Sequence, residues 1–142
     1  MTIARLIEGR NASVITCDAA MQVRGAIALL AERRIGALPV LKDGAVAGIF
    51  SERDVIYRLA AEGPSVLDCA VGEVMTAPAV TVDPQTGLLT ALAMMTRRRI
   101  RHLPVVDGGA MIGFVSIGDL VKARIDSIES EAEAMRAYIQ TA

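Results

Sequence analysis

The chain repeats itself. Displaced by 65 residues along its own length, the stretch 14–55 lies on 79–120 without a gap, and 15 of the 42 positions are identical. Arg33-Arg-Ile-Gly-Ala-Leu-Pro-Val40 falls on Arg98-Arg-Ile-Arg-His-Leu-Pro-Val105. Gly44-Ala-Val-Ala-Gly-Ile-Phe-Ser-Glu-Arg-Asp54 falls on Gly109-Ala-Met-Ile-Gly-Phe-Val-Ser-Ile-Gly-Asp119. One register held over so many special residues means one supersecondary unit used twice. A unit this small cannot bury both faces of its sheet alone, so the two are expected to pack on each other.

Each copy reads as β-α-β-β-α. A short strand (Val14–Thr16; Ala79–Val82) leads to a turn at Asp18 or at Asp83-Pro84. An amphipathic helix follows, with Met21, Ile27, Leu30 and Ala31 marking its buried side in the first copy and Leu88, Leu92 and Met95 in the second. Two strands come next, Leu38–Leu41 and Val46–Phe50, joined at Asp43-Gly44. Asp-Gly is a hairpin signal because Gly accepts positive φ, and Asp107-Gly108-Gly109 stands in the same place in the second copy. A second helix then starts at Ser51 or Ser116, and the first copy's ends near Ala61. In the second copy the pattern runs on from Asp119 through Ile125, Ile128, Ala132, Met135 and Ile139. An apolar line on a charged helix that outruns its domain points to contact with another chain.

Composition narrows the class. Apolar residues make up 53% of 142, which excludes disorder. The longest uninterrupted apolar run, Ala26–Ala31, is six residues, whereas a membrane-spanning helix needs about 20. Net charge is −1 and there is no Trp, so neither a basic surface for nucleic acid nor a base-stacking platform is expected. One His and two distant cysteines exclude a zinc knuckle and fit a reducing compartment; Cys17, opposite Val82 in the repeat, reads as a small core residue. Glu8 interrupts the apolar stretch that a signal peptide would need, so a cytoplasmic location is expected. No phosphate-cradling glycine motif occurs, and His102 has no obvious catalytic partner, so the expectation is a protein that is not an enzyme.

The repeated motif is Leu-Pro-Val preceded by Ile-x-x, then Gly, two apolar residues and Ser-x-x-Asp. On it the chain resembles the small bacterial stand-alone tandem CBS-domain proteins, or Bateman modules, over about residues 10–125. The resemblance implies an α+β fold: two β-α-β-β-α CBS motifs packed face to face in pseudo-two-fold symmetry, with an extended C-terminal helix. The corresponding boundaries are 10–62 for motif 1, 63–72 for a connector, 73–125 for motif 2 and 119–141 for the long helix. It also implies a regulatory sensor that binds an adenosine-containing ligand between the motifs (AMP foremost, then ADP, ATP or NAD(H)) and uses no catalytic cofactor. Homodimerisation and an unidentified regulated protein go with that role. The alternative is a ligand-free structural or interaction dimer module.

Ser51-Glu-Arg-Asp54 and Ser116-Ile-Gly-Asp119 stand at helix starts, and on the residues alone a capping role suffices for both. The resemblance adds that each Asp holds ribose hydroxyls while each Ser faces ribose or phosphate. It further implies that a cleft takes Ser-x-x-Asp from one unit, and the first strand and the residues before Leu-Pro-Val from the other. The first cleft then joins Ser51, Arg53 and Asp54 to Ala79, Val80, Arg101 and His102. The second joins Ser116 and Asp119 to Val14, Ile15, Gly36 and Ala37, with Lys122 as its nearest cation. Adenine is expected between Ile49 and Val80 in one and between Ile15 and Phe114 in the other. Arg101 and His102 stand opposite Gly36 and Ala37 in the repeat, so the first cleft is expected to hold phosphorylated ligands more tightly. The run Arg97–Arg99 is a second candidate cation cluster for phosphate, although such a run is more often a solvated helix end.

Overall fold

The computed structural model describes residues 1–9 and 14–141. The expected start of the first motif, at residue 10, lies outside the described residues. Along the chain run α1 (Ile3–Glu8), β1 (Cys17–Asp18), α2 (Val23–Arg33), β2 (Ala37–Lys42), β3 (Ala45–Ser51) and α3 (Glu52–Glu62). A 3-10 turn (Pro64–Asp68) follows, then α4 (Val71–Val74), α5 (Leu88–Arg98), β4 (His102–Asp107), β5 (Ala110–Ser116) and α6 (Ile117–Thr141).

The hairpins form where the turn residues put them. Lys42 pairs with Ala45 and Asp107 with Ala110, leaving two residues to make each turn. All four of those residues, Asp43, Gly44, Gly108 and Gly109, have positive φ, the geometry whose twist matches that of the strands it joins. Helices α2 and α5 bury the same repeat positions against these hairpins: Val23, Ala26 and Leu30 in one, Leu88, Ala91 and Met95 in the other. Two of the expected residues differ, although Met21 still packs against the first core. Ala31 is exposed and Met21 precedes the helix, because the stripe runs through Val23 and Ala26.

The leading strands are shorter than expected. Only Cys17–Asp18 pairs with β2, in parallel, and in the second unit Val82 alone bridges Val105. Val14–Thr16 and Ala79–Thr81 are not strand. In the second unit the reason is that the chain is crossing between units there. Thr76 is still bonded to Ile49 of β3, by N–H···O contacts of 3.0 and 2.9 Å. Six residues later Val82 N–H donates to the Pro104 carbonyl at 3.0 Å, so the segment between has no sheet edge to follow.

This crossing has a counterpart at the chain start. Ile3 is fully buried in the core of the second unit, with Val82, Leu88, Ala91, Met95, Leu103, Val105, Val115 and Leu120. Its N–H donates to the Thr86 carbonyl at 2.9 Å, and Leu88 N–H donates to the Met1 carbonyl at 3.1 Å. Conversely Val66, Val71 and Val74, in and just after the expected connector, belong to the first unit's core, with Phe50, Leu38 and Val40. Each unit is thus closed by the segment that leads into the other. A displacement of 68 residues, three more than the main register, superposes Ile3-Ala-Arg-Leu-Ile7 on Val71-Gly-Glu-Val-Met75 and marks the exchanged pair.

Gly48 and Gly113 sit where the exchanged segments press on the hairpins. A Cβ on Gly48 would lie 2.6 Å from the Thr76 carbonyl oxygen and 2.7 Å from Met75 Sδ; on Gly113 it would meet only Ile7 side-chain carbons, at 3.3 Å. Backbone cannot yield as a side chain can. Gly48→Ala should therefore cost about 1–3 kcal/mol of stability and Gly113→Ala clearly less. Urea unfolding of the two variants checks this, and equal losses would contradict it.

Candidate functional site

The exchange leaves two clefts along the seam. The first begins where β3 ends. Ser51 caps α3: Asp54 N–H donates to Ser51 Oγ at 3.3 Å, and Ser51 N–H and Oγ–H donate to Asp54 Oδ2 at 2.9 and 3.1 Å. The carboxylate is half-buried, and its other oxygen, Oδ1, accepts the Thr76 hydroxyl at 2.9 Å. Capping therefore fixes the side chain through Oδ2. A carboxylate has about four lone-pair sites, which leaves Oδ1 room for a further donor beside Thr76.

Around Asp54 lies a cleft of about 610 Å3, a usual size for a small-molecule site. Ile49, Ser51, Arg53, Asp54, Ala79, Val80, Arg101 and His102 all line it, as the sequence led one to expect. So do Glu52, Tyr57, Thr76, Pro78, Arg98 and Arg99, which were not assigned to it. Four arginines, Arg53, Arg98, Arg99 and Arg101, are among the lining residues, with the acidic Glu52 and Asp54. Arg99 ends α5 in the left-handed conformation, and Arg53 Nη1 donates to its carbonyl at 3.2 Å. A cation there complements the negative end of the α5 dipole. Two members of the arginine run, Arg98 and Arg99, thus line the cleft, whereas Arg97 does not.

The second cleft is smaller, about 370 Å3, and Val14, Ile15, Ala37, Phe114, Ser116 and Asp119 line it together with Ile7, Ile112 and His102. Ser116 N–H donates to Asp119 Oδ2 at 2.8 Å, and Asp119 N–H to Ser116 Oγ at 3.2 Å, the same cap as in the first unit. Two expected members lie elsewhere. Gly36 lines the first cleft, because its carbonyl accepts Glu52 N–H at 3.0 Å and ties it to the start of α3. Lys122 lines neither cleft. It stands a turn beyond Ser116-Ile-Gly-Asp119 on α6, exposed to solvent. Among the described residues no arginine lines this cleft.

His102 stands between the two clefts and lines both. Its ring stacks on Phe114 with centroids 5.4 Å apart and planes 13° from parallel. Burial lowers its pKa from the usual 6.5; Asp119 and Glu52 pull it up and Arg101 pushes it down, and burial dominates. It is therefore neutral at pH 7. The cationic groups beside it are thus the arginines. Cys17 is also no reactive group: burial, aided by the Asp18 carboxylate, pushes its thiol up to about 11. Among the described residues no His, Cys, Asp and Glu side chains cluster to hold a metal, and no helix is long and apolar enough to cross a membrane.

Comparison with known proteins agrees with this architecture. The CBS domain family matches residues 10–61 and again 71–126. The mitochondrial CBS domain-containing protein CBSX3 of Arabidopsis thaliana is 39% identical over 140 residues, covering 94% of this chain and 68% of its own. A solved CBS-domain protein from Burkholderia ambifaria superposes with a TM-score of 0.82 at 39% identity, over 89% of this chain and 95% of that one. The CBS domain pair of protein MJ0100, solved with 5′-methylthioadenosine and S-adenosyl-L-methionine, shares the fold at a TM-score of 0.77 and 20% identity, over 89% and 98% of the two chains.

The lowered pKa of His102 has a thermodynamic consequence. The unfolded chain takes up this proton near pH 6.5 and the folded chain only at lower pH, so between those values the unfolded state binds more protons. The histidine's contribution is fully present above pH 6.5 and is lost as the pH falls below it. Wild-type stability should drop between pH 7 and 5.5, and His102→Gln should flatten that slope. Thermal melts across the range check this, with identical slopes as the contrary result.

Proposed function

The chain belongs to the CBS-domain family, as a tandem pair of the motif, and on that premise we propose that it is a regulatory module sensing an adenine nucleotide in its first cleft. The nucleotide is AMP foremost, with ADP, ATP or NAD(H) as the other candidates. The observation that carries this reading is the half-buried Asp54 carboxylate, held by its own helix cap and by Thr76 from the crossing segment, in a cleft with four arginines on its walls. Ribose hydroxyls donate to Asp54 Oδ1 alongside or in place of Thr76. Adenine lies between the aliphatic side chains of Ile49 and Val80. Phosphate meets the guanidinium groups, whose planar forks suit its oxygens.

The second cleft, smaller and with no arginine among its described lining residues, suits an adenosine moiety lacking phosphate, held by Asp119 and stacked on Phe114. The fold accommodates such ligands in MJ0100, solved with two phosphate-free adenosine compounds, 5′-methylthioadenosine and S-adenosyl-L-methionine. Signalling follows from the walls of the first cleft coming from both units. A nucleotide that bridges them favours one relative disposition of the units, and it shifts that balance only by its difference in affinity between the two. The output passes to a partner protein and involves no chemistry on the ligand.

A ligand-free interaction module is the second reading, favoured by the exposed apolar line on α6. Thermal melts with AMP, ATP and NADH separate the two. A ligand at 100 times its Kd stabilises the fold by about 2.7 kcal/mol. Asp54→Ala should abolish the shift given by AMP and Asp119→Ala should leave most of it, each variant being compared with itself without ligand because each also loses a cap. Arg101→Ala should weaken AMP while sparing adenosine. No shift with any of the three compounds favours the interaction module, and equal losses in the two Asp variants contradict the difference between clefts.

A further inference from the structure

Helix α6 runs for 25 residues, about 37 Å at 1.5 Å per residue, yet Leu120 is its only fully buried side chain. Ala123 adds a partly buried contact with the second core. Past Ser127 every described side chain except Ala132 is exposed. Five large aliphatic side chains nevertheless stand exposed along α6. Val121, Ile125, Ile128, Met135 and Ile139 are between 43% and 66% exposed. With Ala132 they follow one another at intervals of 4, 3, 4, 3 and 4 residues. That is the a/d seam of a coiled coil, with Ile125, Ala132 and Ile139 at a and Val121, Ile128 and Met135 at d. The seam lies about 100° round the helix from Leu120, so packing on the second core does not cover it.

The flanking charges decide what covers it. Position g carries Arg124 and Glu131; position e carries Lys122, Glu129 and Arg136. If a second α6 lies parallel and in register, each g faces the e five residues further on in the other copy. Arg124 then meets Glu129, and Glu131 meets Arg136, opposite charges in both cases. If the second helix lies antiparallel over the same span, Glu129 faces Glu129, Glu131 faces Glu131, and Lys122 faces Arg136. All three are like pairs. We propose that α6 from Val121 to Ile139 forms a parallel two-stranded coiled coil with α6 of a second copy of this chain. A helix in a protein draws most of its stability from packing an apolar face. Here it continues from a folded domain, and the seam gives it the tertiary contact it lacks in the single chain. The proposal stands apart from the nucleotide reading, and its test uses no nucleotide.

The test is cysteine cross-linking of the full chain under mild oxidation, with the wild type, which carries Cys17 and Cys69, run alongside. In a parallel pair Met135→Cys lies opposite itself and should cross-link as a single variant. In an antiparallel pair it lies opposite Ile125, and only a mixture of Met135→Cys with Ile125→Cys would link. Sedimentation equilibrium should give a dimer. Arg124→Glu should weaken it at least about fivefold, two exposed pairs being lost per dimer, and adding Glu129→Arg should restore it. A monomer or trimer, cross-linking only in the mixture, no cross-linking in either, or no rescue by the double exchange would each overturn the proposal.

Discussion

Everything in this molecule depends on an exchange of chain between its two halves. Ile3 is buried in the core of the second unit, and Val71 and Val74 complete that of the first. Each such side chain contributes on the order of 1.5–3 kcal/mol when withdrawn from water. Neither core is therefore closed without a segment that leads into the other unit. The halves are not beads joined by a linker, and the residues from 63 to 74 are as much core as connection. The clefts lie along the segments that cross: Ala79 and Val80 line the first, and Val14 and Ile15 the second.

The same economy governs the aspartates. Asp54 and Asp119 each cap the helix that they begin, and the cap is what fixes the carboxylate at the cleft wall. The structural role and the proposed ligand role are two uses of one side chain, divided in Asp54 between Oδ2 and Oδ1. On this symmetric frame the two copies have diverged in charge. Arg101 stands where the first copy has Gly36, and Arg53, where the second copy has Gly118, donates to the Arg99 carbonyl at the end of α5. The result is an arginine-lined cleft beside a smaller one with no arginine among its described lining residues, with the ring of His102 lying between them.

Much of this was legible before any coordinates. The repeat fixed two like units, the Asp43-Gly44 and Gly108-Gly109 turns fixed the hairpins, and all eight residues assigned to the first cleft line it. What could not be read was what the main repeat register hides. The exchanged segments match only when displaced by three further residues, over five positions of plain apolar spacing, so Thr76 and its bond to Asp54 went unseen. The leading strands looked longer than they are because a crossing segment and an edge strand share the same β-branched composition. Gly36 and Ala37 are sequence neighbours that face different clefts, a division made by one backbone bond to Glu52 that no side-chain pattern announces.

The central claim is that two pseudo-symmetric clefts have become unequal, one of them suited to a phosphorylated adenosine compound. Native mass spectrometry of the intact protein titrated with AMP tests it most directly, because it counts ligands per chain. The account predicts that one AMP per chain saturates well before a second adds. Two equivalents adding with equal affinity, or no adduct with AMP, ADP, ATP or NADH, would contradict it.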